Sequence, residues 1–314
     1  MSDARLYFIH ALSPLHAGTG QGMGVIDLPI ARERATNIPI LPGSSLKGVL
    51  RDACENSKEW KHRTADIFGS PTTQVETYAG SLVLSDAHLL LLPVRSLAGT
   101  FAWVTSPYLL RRAAQDAADG DADAPPAFTG SPLATDTAVG CWTDAASALH
   151  IQREGKFWTF LEELDLVKYK SDVATGWANW LGPRIWPNNQ PAQEALKQRI
   201  CIVHDDVLGY LLNTATEITA RIRIDDATKT VADGQLWYEE ALPTESVLIG
   251  LVLGTGLKAT PHDAFAAVAD LTKNAMQLGG KETVGRGFCR VRLHGPAPAA
   301  QAQTTPPAGT EAQS

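Results

Sequence analysis

An α+β fold with a ferredoxin-like (RRM-like) βαββαβ core is what this 314-residue chain predicts, on three observations. A segment near each end runs strand, helix, strand. A long insertion rich in aromatic residues separates the two. A β-hairpin extension follows the insertion, ahead of the second segment.

The elements follow in order. Arg5 to Leu12 is an aromatic and β-branched run suited to a strand. After a glycine-rich loop, Ser44 or Ser45 can cap a helix in which Leu46, Val49, Leu50, Ala53 and Cys54 recur at helical spacing. Lys47 and Arg51 stand four apart, on a common face away from that stripe. Ser81 to Val94 reads as strand, with a turn or bulge at Ser85 and Asp86. In the second segment Ser246 to Leu253 is a strand, Pro261 opens a helix carrying Phe265, Val268 and Leu271, and Phe288 to Leu293 alternates as a strand. The core is thus expected over 1–98 and 206–295.

The insertion, 99–205, begins with a helix over Tyr108 to Ala118. An acidic run carrying Asp116, Asp119, Asp121 and Asp123 is expected as a flexible loop near 116–133. The stretch holding Trp142, Trp158, Trp177, Trp180 and Trp186 is then either a packed subdomain or a surface for a partner. From Ile218 to Leu242 two alternating segments flank a turn at 225–228, with Arg221 and Arg223 on one face. The tail, 296–314, has no core-forming residue and is expected to be disordered.

A formal charge of -7 argues against a nucleic-acid binder at face value. The sum hides two basic zones: Arg32, Arg34, Lys47 and Arg51 near the start, and Lys281, Arg286, Arg290 and Arg292 near the end. A mildly acidic protein of this kind is compatible with an RNA groove. The four cysteines lie far apart with no C-x-x-C pair, so they read as buried free thiols of a reducing compartment. No apolar run is long enough to span a bilayer, and a cytoplasmic location is expected.

The chemistry concentrates between His16 and Arg51. Gly18, Gly20, Gly22 and Gly24 alternate, which weakens a strand and suits a loop whose backbone closely approaches something else. Asp27 follows as a carboxylate expected to be buried. Neither glycine stretch here is a nucleotide motif: GSSLKG lacks the phosphate-loop spacing, and Met23 breaks G-x-G-x-x-G. A second glycine stretch, Gly279 to Gly287, sits between helix and strand. The amides of Gly280 and Gly285, with Lys281 and Arg286, suit RNA phosphates; the alternative is a plain helix-to-strand connection. Lys47, Arg51, Ser44 and Ser45 are the matching RNA-binding candidates at the first helix.

HAGTGQGMGVIDLPIARE, PILPGSSLKGVLRD and the closing GGKETVGRGF together resemble the RAMP superfamily of CRISPR-associated proteins. More narrowly they are similar to the backbone nuclease subunit of type III-B (Cmr) effector complexes, with LWYEEALP as a further matching stretch. The resemblance implies a subunit that polymerises along a CRISPR guide RNA with other Cmr subunits and further copies of itself in a helical filament. It implies an endoribonuclease that cuts complementary target RNA at regular six-nucleotide steps. It places the catalytic carboxylate at Asp27, puts His16 and Glu239 near the cut, and implies a hairpin thumb that wedges between bases without saying which hairpin supplies it. Cleavage beside a 2′-hydroxyl needs in-line alignment and proton removal, and Asp27 can accept the proton or hold a divalent ion, expected as Mg2+ or Mn2+. Two other readings are a noncatalytic guide-RNA scaffold and a nuclease that processes precursor CRISPR RNA.

Overall fold

Strand β1 (Asp3–Ala11) turns Leu6 and Phe8 to one side and Tyr7 and Ile9 to the other, and all four are at most 1% exposed. A strand apolar on both sides requires cover on both sides. The computed structural model that shows this cover describes residues 3–19, 26–70, 78–120, 122–135, 139–170, 172–224 and 231–295. The glycines at 20, 22 and 24, Asp121, the 225–228 turn and the 296–314 tail lie outside the described residues.

After β1 come the short β2 (Ile40–Leu41) and helix α1 (Gly43–Glu55), which buries Leu46, Leu50 and Cys54. Its cap differs from the expected one. Pro42 occupies the cap position, Ser44 and Ser45 lie exposed in the first turn, and no side chain of the capping residue bonds the helix. The acceptor comes instead from outside, because the Gly43 amide donates to Asp86 Oδ1 at 2.8 Å. A carboxylate held at a helix N-terminus also meets the positive end of the helix dipole. Helix α2 (Thr64–Phe68), β3 (Leu82–Leu84) and β4 (Ala87–Arg95) follow, with the expected break at Ser85 and Asp86.

The insertion expected as helical and aromatic also carries strands. These are β5 (Phe101–Thr105), β6 (Gly140–Thr143), β7 (Ile151–Arg153), β8 (Lys156–Leu161), β9 (Leu164–Lys170) and β10 (Ile200–Val203). Its helices are α3 (Pro107–Asp119), α4 (Asp172–Ile185) and α5 (Gln190–Arg199). Within the acidic run, Asp116 and Asp119 belong to α3, and Phe128 lies edge-on to Trp142 and Trp177. Trp177, Trp180 and Trp186 are buried, whereas Phe157 and Tyr169 are exposed. The chain then continues through α6 (Asp205–Thr214), β11 (Glu217–Ile224), β12 (Val231–Ala241), β13 (Val247–Gly254), α7 (Pro261–Leu271), β14 (Met276–Gln277) and β15 (Phe288–Leu293).

Among the described residues one 13-stranded mixed sheet results, running β14, β15, β1, β13, β4, β5, β10, β6, β9, β8, β7, with β2 beside β4 and β3 beside β13. The run β15, β1, β13, β4 is antiparallel throughout. The insertion continues that sheet, with parallel pairing of β5 to β10 and of β6 to β9. On the Tyr7 and Ile9 side the core takes in Leu46, Leu50, Phe265 and Val268 from α1 and α7. On the Leu6 and Phe8 side it takes in Leu110, Trp177, Leu181 and Leu196 from α3, α4 and α5. Each such fully buried side chain contributes about 1.5–3 kcal/mol. The strands β11 and β12 stand apart as a separate hairpin. All four cysteines are buried and free. Among the described residues no helix is long and apolar enough to cross a membrane.

Candidate functional site

Two loops meet where β1 ends. The Gly280 amide donates to His16 O at 2.9 Å, and the Gly287 amide donates to Pro14 O at 2.8 Å. Gly279 sits at φ +72°, and a Cβ there would lie 2.4 Å from His16 O. Only glycine allows both the conformation and the approach. His16 is buried, with Nδ1 at 2.6 Å from Glu240 O. A carbonyl only accepts, so this contact assigns a proton to Nδ1, while Nε2 packs against Gly18. Beside the junction opens a cleft of about 490 Å³, lined by His16, Gly18, Ser44, Ser45, Gly48 and Gly280. Three segments distant in sequence thus share one concave surface: the first glycine loop, the start of α1 and the second glycine loop.

Lys281 carries the junction on to the hairpin. It takes a left-handed conformation at φ +70° and donates through Nζ to Glu239 Oε1 at 2.8 Å. Trp237 Nε1 donates to the same oxygen at 2.8 Å, and Arg221 Nε lies 3.4 Å from Oε2. Glu239 is 2% exposed. Burial alone pushes its pKa up, but the Lys281 and Trp237 hydrogen bonds and the Lys281 and Arg221 charges outweigh it and hold the pKa at about 2, below the ordinary 4.5. A depressed carboxylate pKa contributes stability above the unfolded value and loses it as pH falls through the folded one. The stability gap between the wild type and Glu239→Gln, read from urea melts, is therefore constant above about pH 5 and shrinks steadily from about pH 4.5 towards 2. A gap that stays flat through that window would refute the account.

Asp27 is not buried as expected; it is exposed. Its segment runs along the outside of the hairpin: Leu28 N donates to Tyr238 O at 3.0 Å, and Glu240 N donates to Leu28 O at 3.0 Å. That pairing fixes the carboxylate, because the Tyr238 amide donates to Asp27 Oδ2 at 2.8 Å. Glu240 is a second buried carboxylate of this neighbourhood beside Glu239, and its Oε1 accepts from Arg32 at 2.6 Å while its Oε2 accepts from the Ile30 amide at 3.1 Å. Arg32 also donates to Leu212 O and Asn37 O, so this member of the first basic zone is committed internally. On the hairpin, Ile222 faces Leu236 and Ala220 faces Tyr238 across the register. Ile218, Ile222, Leu236 and Tyr238 are all exposed, giving the hairpin an uncovered apolar face beside Asp27.

The remaining candidates divide. Lys47 is half-buried and donates to Leu82 O at 3.1 Å, and burial, with Arg51 nearby, lowers its pKa. Arg51 pairs with Glu55 at 3.0 Å. Gly285 is exposed, whereas Arg286 is buried and donates to Thr219 Oγ1 at 3.0 Å. Residues that sequence reasoning passed over are Trp237 and Tyr238, which orient Glu239 and Asp27. Their position in LWYEEALP was the available signal. No group of three His, Cys, Asp or Glu side chains suited to a metal occurs among the described residues.

A family model for the RAMP superfamily matches residues 8–290. The chain belongs to that superfamily. Among RAMP relatives it is 37% identical over 294 residues to the CRISPR system Cmr endoribonuclease Cmr4 of Pyrococcus furiosus, covering 92% of this chain and 95% of the relative. It also matches a crystal structure of oligomeric Cmr4 from Pyrococcus furiosus, with a TM-score of 0.68 and 29% identity over 92% of this chain and 97% of that one. A chain in a cryo-EM structure of a type III-B Cmr-beta complex bound to cognate target RNA shares the fold at a TM-score of 0.67 and 22% identity, covering 92% and 96%.

Proposed function

We propose that this chain is a guide-RNA-binding backbone subunit of a type III-B effector complex and the endoribonuclease that cuts its complementary target RNA at regular intervals. The observation that carries the reading is the placement of Asp27. An exposed carboxylate is pinned by a backbone amide of an apolar-faced hairpin, whose next residue, Glu239, is joined to Lys281 of the second glycine loop at the His16 cleft. The relative's description as an endoribonuclease, at 37% identity, supports the enzymatic part.

In this reading β15, β1, β13 and β4 form a ferredoxin-like core, with α1 and α7 on one side; their all-antiparallel order supports it. Guide-RNA phosphates lie along Ser44, Ser45, Lys47, Arg51, Gly280, Lys281 and Gly285. Arg286, turned inward to Thr219, supports the loop from beneath. The β11–β12 hairpin is the thumb: Ile222, Leu236 and Tyr238 press on a base and splay the target strand, which aligns one 2′-hydroxyl with the adjacent phosphorus. Asp27 accepts that hydroxyl's proton. The Tyr238 amide fixes the direction of the carboxylate, while Glu239, already committed to Lys281 and Trp237, acts by holding the loop and not as a base. His16, with Nδ1 on Glu240 O, orients the backbone of the cleft.

A divalent ion, Mg2+ or Mn2+, belongs to the same proposal. A lone exposed carboxylate fits a largely hydrated ion shared with RNA phosphates, and not a centre built from protein ligands alone. Asp27 is the residue that would hold it, and the ion would neutralise charge at the leaving oxygen. Further copies of the chain, arranged in a filament in the cytoplasm with other Cmr subunits, would repeat the site along the guide.

Reconstitution with guide RNA and end-labelled complementary target tests the reading. The expected result is a ladder of products at constant spacing. Uncut target would leave a scaffold only, and cutting of precursor repeats by the isolated chain would replace the reading with guide processing.

A further inference from the structure

A second built cavity lies on the other side of the sheet from α1. It measures about 430 Å³, within the range of small-ligand sites, and opens between the end of β1 and the helices of the insertion. His10 and Trp186, both 6% exposed, and Trp103, 4% exposed, form its floor, with half-buried Phe101 as a wall.

One carboxylate is held at its mouth with unusual care. Trp186 Nε1 donates to His10 Nδ1 at 3.3 Å, which leaves His10 Nε2 as the donor to Glu245 Oε2 at 2.7 Å. Trp103 Nε1 donates to the Glu245 carbonyl at 2.9 Å, and the Glu245 amide donates to Ala11 O at 2.8 Å. Glu245 itself adopts φ +75°, a left-handed conformation that costs a non-glycine residue about 1 kcal/mol or more. Three partners, two from β1 and one from β5, thus hold a strained residue in the lining of the cavity. Arg199 and Arg290 also line this cavity, and neither makes an ion pair among the described residues. Arg199 spends only Nε, on Gly99 O.

An aromatic wall, an acceptor carboxylate and two guanidinium groups without an ion pair among the described residues call for a flat ring that donates a hydrogen bond and carries an anion. We infer that this cavity binds one nucleotide, its base against Phe101 with an amino group on Glu245 and its phosphate between Arg199 and Arg290. This goes beyond the proposed cleavage site and uses none of its residues. A base with an exocyclic amino group is preferred over one that offers a carbonyl there, because the carboxylate only accepts. The nucleotide comes either free or as part of an RNA strand.

Calorimetric titration of the full chain with CMP, UMP and inorganic phosphate is the test, since at C4 CMP presents an amino donor and UMP a carbonyl, with N3 an acceptor in CMP and an N–H in UMP. Saturable CMP binding, at least about tenfold tighter than UMP and than phosphate, is expected. Glu245→Gln narrows the CMP preference to under about threefold, and Arg290→Ala weakens both nucleotides by about tenfold, each with an unfolding midpoint near wild type. Loss of oligo(C) affinity in Arg290→Ala assigns an RNA strand as the source, whereas loss confined to CMP assigns the free nucleotide. Equal CMP and UMP affinity, no saturable CMP binding by folded chain, or no effect of Arg290→Ala on either ligand overturns the inference. The titration needs no guide or target, so its failure leaves the proposed cleavage function standing.

Discussion

Replacing Asp27 with alanine is expected to lower target-RNA cutting by at least about a hundredfold, with guide loading and assembly staying within about twofold of wild type. The two effects separate because the side chain is exposed and does little for the fold. It accepts one described hydrogen bond, from the Tyr238 amide, and water replaces that partner for less than about 1 kcal/mol. A positioned proton acceptor is worth about a hundred- to ten-thousandfold in rate, so removing it dominates every other consequence. Asp27→Asn sharpens the point, since an amide oxygen still accepts from Tyr238 but neither takes a proton nor carries charge. Single-turnover cleavage of end-labelled target by reconstituted complexes is the measurement. Both variants are expected to be equally inactive. Asp27→Asn retaining most of the wild-type rate would reduce the carboxylate to a positioning role, and an active Asp27→Ala would remove it from the chemistry.

How much of this was legible in the sequence follows from the range of each interaction. β1, α1, the broken β3–β4 run, β13, α7 and β15 announce themselves through local apolar spacing, and the kink at Ser85 and Asp86 was readable as two polar residues inside an apolar run. Strands β5, β6 and β10 were not readable, because they are short and their pairing joins segments up to about a hundred residues apart, such as Ile200 with Trp103, whereas β7, β8 and β9 pair locally and were passed over inside the aromatic stretch. Asp27, expected to be buried, is exposed although Ile26 and Leu28 flank it. The structure lays that segment along the outside of β12, where its backbone pairs and the carboxylate, held by the Tyr238 amide, stays exposed. The charges near Glu239 were legible as residue types and not as partners, since Lys281 lies 42 positions away. A longer separation, 208 positions, hid the commitment of Arg32 to Glu240.

Gly279→Ala is expected to cost the fold about 2–4 kcal/mol and guide-RNA affinity at least tenfold, through a contact that no sequence pattern announces. At φ +72° an alanine already loses about 1 kcal/mol relative to glycine. Its Cβ would then sit 2.4 Å from the carbonyl oxygen of His16, a backbone atom that cannot swing aside. Relief requires the second glycine loop to lift. Lifting breaks the Gly280 bond to His16 O, loosens His16 from Glu240 O and opens the cleft that Ser44, Ser45 and Gly280 share. Gly285→Ala separates strain from collision. Gly285 has nearly the same conformation, φ +78°, but no neighbour within 4 Å of an added Cβ, so it should lose only about 1 kcal/mol. Urea melts of the two variants, with filter binding of guide RNA to the Gly279 variant, decide the matter. Equal stability losses would mean that the loops do not depend on their contact at His16; a larger loss at Gly279, accompanied by weakened RNA binding, ties the cleft to the meeting of the two glycine loops.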